Sequence, residues 1–318
     1  MTTTSKIAVF FPGQGSQSVG MLDALAAVRP EVRETFDEAS EALGRDLWTL
    51  VSGGPRAALD QTENTQPAML AAGIAVWRVW QAAGGAPAAL MAGHSLGEYS
   101  ALVAAGALSF ADGIRLAADR ARFMQEAVPA GEGAMAAVLG LDDDQVIALC
   151  AEQAQGEVLE AVNFNSPGQV VIAGQTAAVE RAAAAAKAAG AKRALVLPVS
   201  VPSHCALMRP AAERLGARLL ETELKVPRVP VLHNVDVTAA RDAAGLRERL
   251  AAQLYRPVRW VETVRAVAAS GLTLAIECGP GKVLTGLNKR IDKNLTTLPV
   301  SDPETLDSAL EAISNAQG

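Results

Sequence analysis

The chain has no basic excess. Its 28 Lys and Arg stand against 34 Asp and Glu, for a net charge of −6. It therefore lacks the electrostatic footprint that a phosphate backbone selects, and no nucleic-acid partner is expected. Cysteine is scarce as well. Cys150, Cys205 and Cys278 are too few and too scattered for a disulfide framework or a zinc site, so buried thiols in a reducing cytoplasm are expected. Long apolar runs are missing. Only five apolar residues, Ile7 to Phe11, follow Lys6, so no secretory signal is expected. The most apolar helical stretch, Ala68 to Trp80, is interrupted by Arg78 and falls short of the ~18–20 residues that span a bilayer. Together these absences describe a soluble cytoplasmic protein with no membrane partner. Internal repeats and low-complexity linkers are absent too. Histidine is limited to His94, His204 and His233, so any imidazole chemistry must use one of three rings.

What is present is a hydrophobic, glycine-rich chain of 318 residues, long enough for one large α/β domain or two. Its organising stretch is Met91-Ala-Gly-His-Ser-Leu-Gly-Glu-Tyr-Ser100. A short apolar run, Pro87 to Met91, precedes it as a strand, and Glu98 to Ala105 follows as a helix. Between them Gly93-His-Ser-Leu-Gly97 fits G-x-S-x-G, the turn that lifts a nucleophilic serine above a sheet. Small flanking residues let strand and helix approach, and the helix start offers amides to a developing oxyanion.

Lys6 to Phe11 is a buried strand, broken by Pro12-Gly-Gln-Gly-Ser16. A dinucleotide fingerprint fails there, because Ser18 replaces the third glycine. Helices are expected over Pro30–Leu43, Asp46–Ser52 and Thr65–Ala83. Ser109-Phe-Ala-Asp112 has capping-box spacing and opens a helix to Val128. Phe110, Ile114, Ala117, Ala121, Met124 and Val128 form its buried stripe, with Arg120 roughly 80° from the stripe's centre, on its boundary. Arg120 is either a solvated neighbour of Asp119 or a functional group.

From Gly131 the texture changes. Strands at 134–139, 158–164, 169–173 and 193–199 and helices at 142–155 and 176–189 run β-α-β-β-α-β, a ferredoxin-like unit. The fold class expected is α/β: a hydrolase-like large domain, residues 1–129 and 200–318, with a ferredoxin-like small domain, 130–199, inserted. Ser200-Val-Pro-Ser-His204 is a loop, followed by a helix over Ala206–Thr222, a strand over Val229–His233, helices over Leu246–Leu254 and Val258–Ala269, and a strand over Thr273–Glu277. Gly279-Pro-Gly-Lys282 lacks the spacing of a phosphate loop and opens another helix.

Ser95 needs a base. His94 adjoins it on a turn where neighbouring side chains diverge, and His233 ends a strand in a polar cluster. His204 lies downstream in the order hydrolase folds allow. Spacing alone does not decide among them, and no acid announces itself as a third member. A plain esterase or thioesterase, or a binding module without activity, stays open at this point.

Several segments taken together resemble one family. Phe11-Pro-Gly-Gln-Gly-Ser-Gln17, Gly93-His-Ser-Leu-Gly-Glu98, Arg120 before Phe123-Met-Gln125, Asn163-Phe-Asn-Ser-Pro-Gly-Gln169, Val201-Pro-Ser-His204 and Glu277-Cys-Gly-Pro-Gly-Lys282 are similar to malonyl-CoA:acyl carrier protein transacylases of dissociated fatty acid synthases. The resemblance runs in order from residue 6 to about 291. It implies Ser95 as nucleophile, His204 as base oriented by the backbone carbonyl of Gln253, and an oxyanion hole from the amides of Gln14 and Leu96. It further implies Arg120 as clamp for the malonyl carboxylate, with Asn165 and Gln169 on the substrate. Malonyl-CoA is then the substrate, with no bound cofactor, and an acidic acyl carrier protein the transient partner of a monomeric enzyme. Lys187, Lys192, Arg193, Lys289 and Arg290 are the basic candidates for docking it. Ser203 before His204 matches the dissociated enzymes, and leaves tolerance for α-methylated groups and a polyketide pathway open.

Overall fold

The computed structural model describes residues 6–199 and 201–316; Ser200, first residue of the expected loop, lies outside them. The strands are β1 (Ile7–Phe11), β2 (Ala88–Gly93), β3 (Gly133–Leu139), β4 (Leu159–Ser166), β5 (Gln169–Gln175), β6 (Arg193–Val196), β7 (Val231–Leu232), β8 (Leu274–Cys278) and β9 (Thr296–Val300). Five of them form a wholly parallel sheet in the order β7-β2-β1-β8-β9. Central β1, Ile-Ala-Val-Phe-Phe, is buried on both faces, as a continuous apolar run demands in such a sheet. The chain leaves β1 to one side for β2 and reaches β8 on the other. The loops after neighbouring β1 and β8 therefore lead to opposite sides at their carboxyl ends, where open sheets bind ligands, and the turn after β2 lies at the same edge.

The helix Thr62–Ala82 is apolar on nearly all sides beyond its first turn and is buried without a break from Asn64 to Trp77, as such a helix must be. It starts three residues before the expected Thr65. Against it packs Phe110–Ala127, whose first turn is capped by Ser109 Oγ accepting the Asp112 amide. The box is one-sided, because the Asp112 carboxylate takes the Ser109 hydroxyl rather than its backbone amide. The expected stripe is buried, but so is Arg120, at 1% exposure. Arg120 is enclosed by Gln66, Gln253 and the Tyr99 ring, while the helix Arg209–Leu220 packs along another side of Phe110–Ala127. Asp119 pairs instead with Arg122 and Arg218, at 2.9 and 3.0 Å.

The antiparallel sheet β4-β5-β3-β6 has the expected ferredoxin-like order. The helices Asp143–Ala154 and Thr176–Ala186 cover it around a separate core that includes Val138, Val146, Ile172 and Val179. Its edge strand β4 joins the large sheet's side of the molecule at Val258, through the Phe164 amide to the Val258 carbonyl and the Val258 amide to the Val162 carbonyl.

Elsewhere the boundaries shift. β7 shrinks to two residues, and the expected helix over Ala206–Thr222 splits into a 3-10 turn and Arg209–Leu220, with Pro210 in its first turn. Edge strand β9 and the helix Pro303–Asn315 were not foreseen.

Two glycines fix where the serine sits. A Cβ on Gly93 would lie 1.9 Å from the Gly97 carbonyl carbon, and one on Gly97 would lie 2.0 Å from the Phe11 carbonyl oxygen. Both obstacles are backbone. Gly97→Ala is expected to destabilise by about 1–3 kcal/mol and to lower the melting temperature by several degrees. Gly286→Ala, at an exposed position of the helix Val283–Ile291 with nothing within 4 Å, should be neutral or stabilising. Equal melting curves for the two variants would contradict the close approach.

Candidate active site

Ser95 stands between β2 and the helix Gly97–Ala104 with φ at +51°. A non-glycine residue held there stores of order 1–3 kcal/mol, and such strain persists only where the surroundings enforce it. The enforcement is visible. The Ser95 amide donates to Asn234 Oδ1 at 2.8 Å, and Asn234 Nδ2 donates to the Gly93 carbonyl at 2.7 Å. Buried Glu98 accepts the Asn234 amide and His233 Nδ1, each at 2.8 Å. With its amide engaged, Ser95 offers none to an oxyanion. Among the described residues the amides of Leu96 and Gln14 have no internal acceptor, and both residues line the cavity beside Ser95. The oxyanion pair implied by the resemblance is thus brought together.

His204 is the ring that reaches the serine, its Nε2 2.8 Å from Ser95 Oγ. Its backbone is also left-handed, with φ at +68°, and its amide is tied to the Leu254 carbonyl at 2.9 Å. Nδ1 lies 2.7 Å from the Gln253 carbonyl oxygen. A carbonyl only accepts, so Nδ1 carries the proton, and in the neutral ring Nε2 is left to accept the Ser95 hydroxyl. Burial, and secondarily the Arg120 charge, push the His204 pKa down from 6.5 to about 3. The ring is therefore neutral at physiological pH, as a base must be.

Arg120 points its fork into the same space. Nη1 donates to Gln66 Oε1 at 2.6 Å, and Nη2 to Gln253 Oε1 at 3.0 Å and Ser95 Oγ at 3.2 Å. The Tyr99 ring lies 5.6 Å from the guanidinium carbon, while Nε is buried with no acceptor. Burial lowers the Arg120 pKa, and Glu98 acts on it only as a longer-range charge. Every direct partner is neutral. Gln253 is a hub, since its Nε2 also donates to the Ser95 carbonyl at 3.0 Å.

These groups open on a cavity of about 390 Å³ also lined by Met124, Val171 and Val201. Asn165 and Gln169 line it as expected, but each is partly committed. Asn165 Oδ1 meets His94 Nε2 at 2.7 Å, and Gln169 Oε1 accepts from Arg290 at 2.8 Å. His94 thus turns away from the serine and packs against Trp260, as its place on the turn suggested. Gln66, Thr62 and Asn234 were missed. Their only sequence signal was polarity at the start of an apolar helix and at the end of a strand. No cluster of three or more metal-ligating side chains occurs among the described residues, and no helix there is long and apolar enough to cross a membrane.

A strained serine served by a neutral histidine, with two uncommitted amides alongside, suits enzymes that pass an acyl group through an ester on their own hydroxyl. Comparison with known proteins narrows this class. The acyl transferase domain family matches residues 9–305, and the chain belongs to that family. It is 58% identical over 306 residues to the malonyl CoA-acyl carrier protein transacylase of Salmonella typhimurium, covering 96% of this chain and 99% of the relative. The crystal structure of an acyl carrier protein S-malonyltransferase from Vibrio cholerae superposes with a TM-score of 0.93 at 58% identity, over 96% of this chain and 99% of that one. A malonyl-transacylase solved in complex with its type II polyketide synthase acyl-carrier protein is 56% identical, with a TM-score of 0.95, over 97% and 100% of the two chains.

The depressed His204 pKa fixes a pH dependence. Between about 3 and 6.5 the unfolded chain holds a proton on this ring that the folded chain lacks. Its contribution to stability is therefore fully present above 6.5 and is lost as pH falls toward 3. Acyl-enzyme formation, followed as kcat/KM against pH, should show no inflection near the ordinary imidazole value of 6.5. An acid limb centred there or higher would contradict the burial argument.

Proposed function

We propose that the chain transfers the malonyl group of malonyl-CoA to the phosphopantetheine thiol of an acyl carrier protein, in fatty acid biosynthesis in the cytoplasm. The relatives' names support this reading, and the observation that carries it is the buried Arg120 fork with neutral partners, 3.2 Å from Ser95 Oγ. A planar guanidinium pairs two-pronged with a carboxylate, and the free end of a malonyl group supplies one. An acetyl group would leave the cation buried and unpaired, at a cost of a few kcal/mol, or discrimination on the order of 10²-fold. A plain esterase or thioesterase would give Arg120 no task.

The cycle is ping-pong. Ser95 Oγ attacks the thioester carbonyl carbon while His204 Nε2 takes its proton. The oxyanion lies against the Leu96 and Gln14 amides, the carbon–sulfur bond breaks, and His204 returns the proton to the departing CoA sulfur. The carrier thiol then gives its proton to His204 and attacks the Ser95 ester. Ser95 Oγ leaves and recovers the proton. Each step is assigned to a group of this chain, and no cofactor is called for. The Gln253 carbonyl stabilises the imidazolium less than a carboxylate would, which suffices for an activated thioester.

The small unit, residues 130–199, acts in this reading as a separate domain that brings Asn165 and Gln169 over the serine. Exposed Lys187, Lys192, Arg193 and Lys289 are assigned to docking the acidic carrier. Arg290 is shared with Gln169. Carriers of fatty acid and polyketide synthesis present the same thiol, so the polyketide relative is consistent with the same chemistry.

The test is kcat/KM for malonyl-CoA and acetyl-CoA with wild type, Arg120→Ala and Arg120→Lys. Malonyl transfer should fall about 10²-fold or more in the alanine variant while acetyl transfer rises relative to it. Lysine should recover only part, having the charge without the fork. An unchanged malonyl-to-acetyl ratio in the alanine variant would remove Arg120 as the clamp.

A further inference from the structure

Asn234 follows the two-residue strand β7, and its side chain reaches under the nucleophile's turn. Ser95 N–H can only donate and the Gly93 carbonyl can only accept, so the two contacts at 2.8 and 2.7 Å fix which carboxamide atom is which. One fully buried side chain thus closes a ring across the residues that turn β2 into the next helix. Asn234 is itself fixed. Its amide donates to Glu98 Oε2, and Glu98 stands in the first turn of that helix. The Asn234 carbonyl accepts the Arg259 amide at 3.1 Å.

We propose that Asn234 is a positioning residue for the acyl transfer, an assignment that rests on the function proposed above. It holds Ser95 in the left-handed region, which aims Oγ at His204 Nε2. By taking the Ser95 amide it also restricts the oxyanion to the amides of Leu96 and Gln14. Without the carboxamide the backbone is free to relax from φ +51° toward unstrained values and carry Oγ away from the base. A misplacement of about 1 Å costs on the order of 10²-fold in rate. Substrate affinity is set elsewhere, by Arg120, so the loss falls on the rate and not on binding.

The experiment is single-turnover formation of the malonyl ester on Ser95, over a range of malonyl-CoA concentrations, in wild type, Asn234→Ala and Asn234→Asp. Thermal melts report folding. A neutral organophosphonate that labels active serines without needing Arg120 serves as an independent probe of Ser95. The alanine variant is expected to load about 10²-fold more slowly at saturation, with half-saturation within about twofold of wild type and phosphonate labelling slowed in parallel. The aspartate variant keeps the acceptor for the Ser95 amide and turns an oxygen toward the Gly93 carbonyl, so it should also be slow. Wild-type loading and labelling by the folded variants would overturn the assignment, as would a loss confined to half-saturation. Failure of both variants to fold would assign Asn234 to stability alone, and overturn it too. A wild-type enzyme that forms no malonyl ester would instead overturn the function on which the assignment rests.

Discussion

Arg120 carries its charge into a site where its direct partners are amide oxygens, a hydroxyl and the face of a tyrosine ring. Taking a cation out of water costs several kcal/mol, and neutral acceptors return only part of that. The remainder is available to a substrate that brings a carboxylate. The same charge acts on the base. Together with burial it holds His204 neutral, and its contact with Ser95 Oγ favours the hydroxyl's loss of a proton. In the proposed function, substrate selection and activation of the nucleophile thus depend on one guanidinium.

Gln253 links these effects. Its backbone carbonyl fixes the His204 tautomer, its side-chain oxygen meets Arg120, and its side-chain nitrogen holds the Ser95 carbonyl. A second chain of hydrogen bonds runs from Arg120 through Gln66 and Thr62 to the side chain of Gln14. The proposed clamp and the proposed oxyanion loop are therefore parts of one network.

Much of this was legible in the sequence where the signal is local. The turn around Ser95 announces itself because Gly93 and Gly97 are required by backbone contacts one residue type can satisfy. The β-α-β-β-α-β order follows from alternating short periodic segments. The burial of Arg120 was not legible, since helical periodicity gives an angle but not which neighbour covers it. Asn234 and Gln66 were invisible for a similar reason: their partners lie 139 and 54 residues away. β9 carries little pattern, being an edge strand whose Pro299 is tolerated there, whereas the last helix does carry a local signal, with Asp302 as its cap, Pro303 in its first turn and Leu306, Ala309 and Ile313 at helical spacing. Among three histidines, only the family resemblance pointed to His204 over the other two, and its ring lies against Ser95 Oγ.

The central claim is that the buried cation beside Ser95 waits for a carboxylate carried by the acyl group. It is tested most directly by incubating the wild-type enzyme with malonyl-CoA or acetyl-CoA, without carrier protein, and measuring the mass of the peptide that contains Ser95. The account requires a malonyl adduct on Ser95 that accumulates and persists in water, with little or no acetyl adduct under the same conditions. Equal labelling by the two thioesters, or a malonyl adduct on another residue, would contradict it.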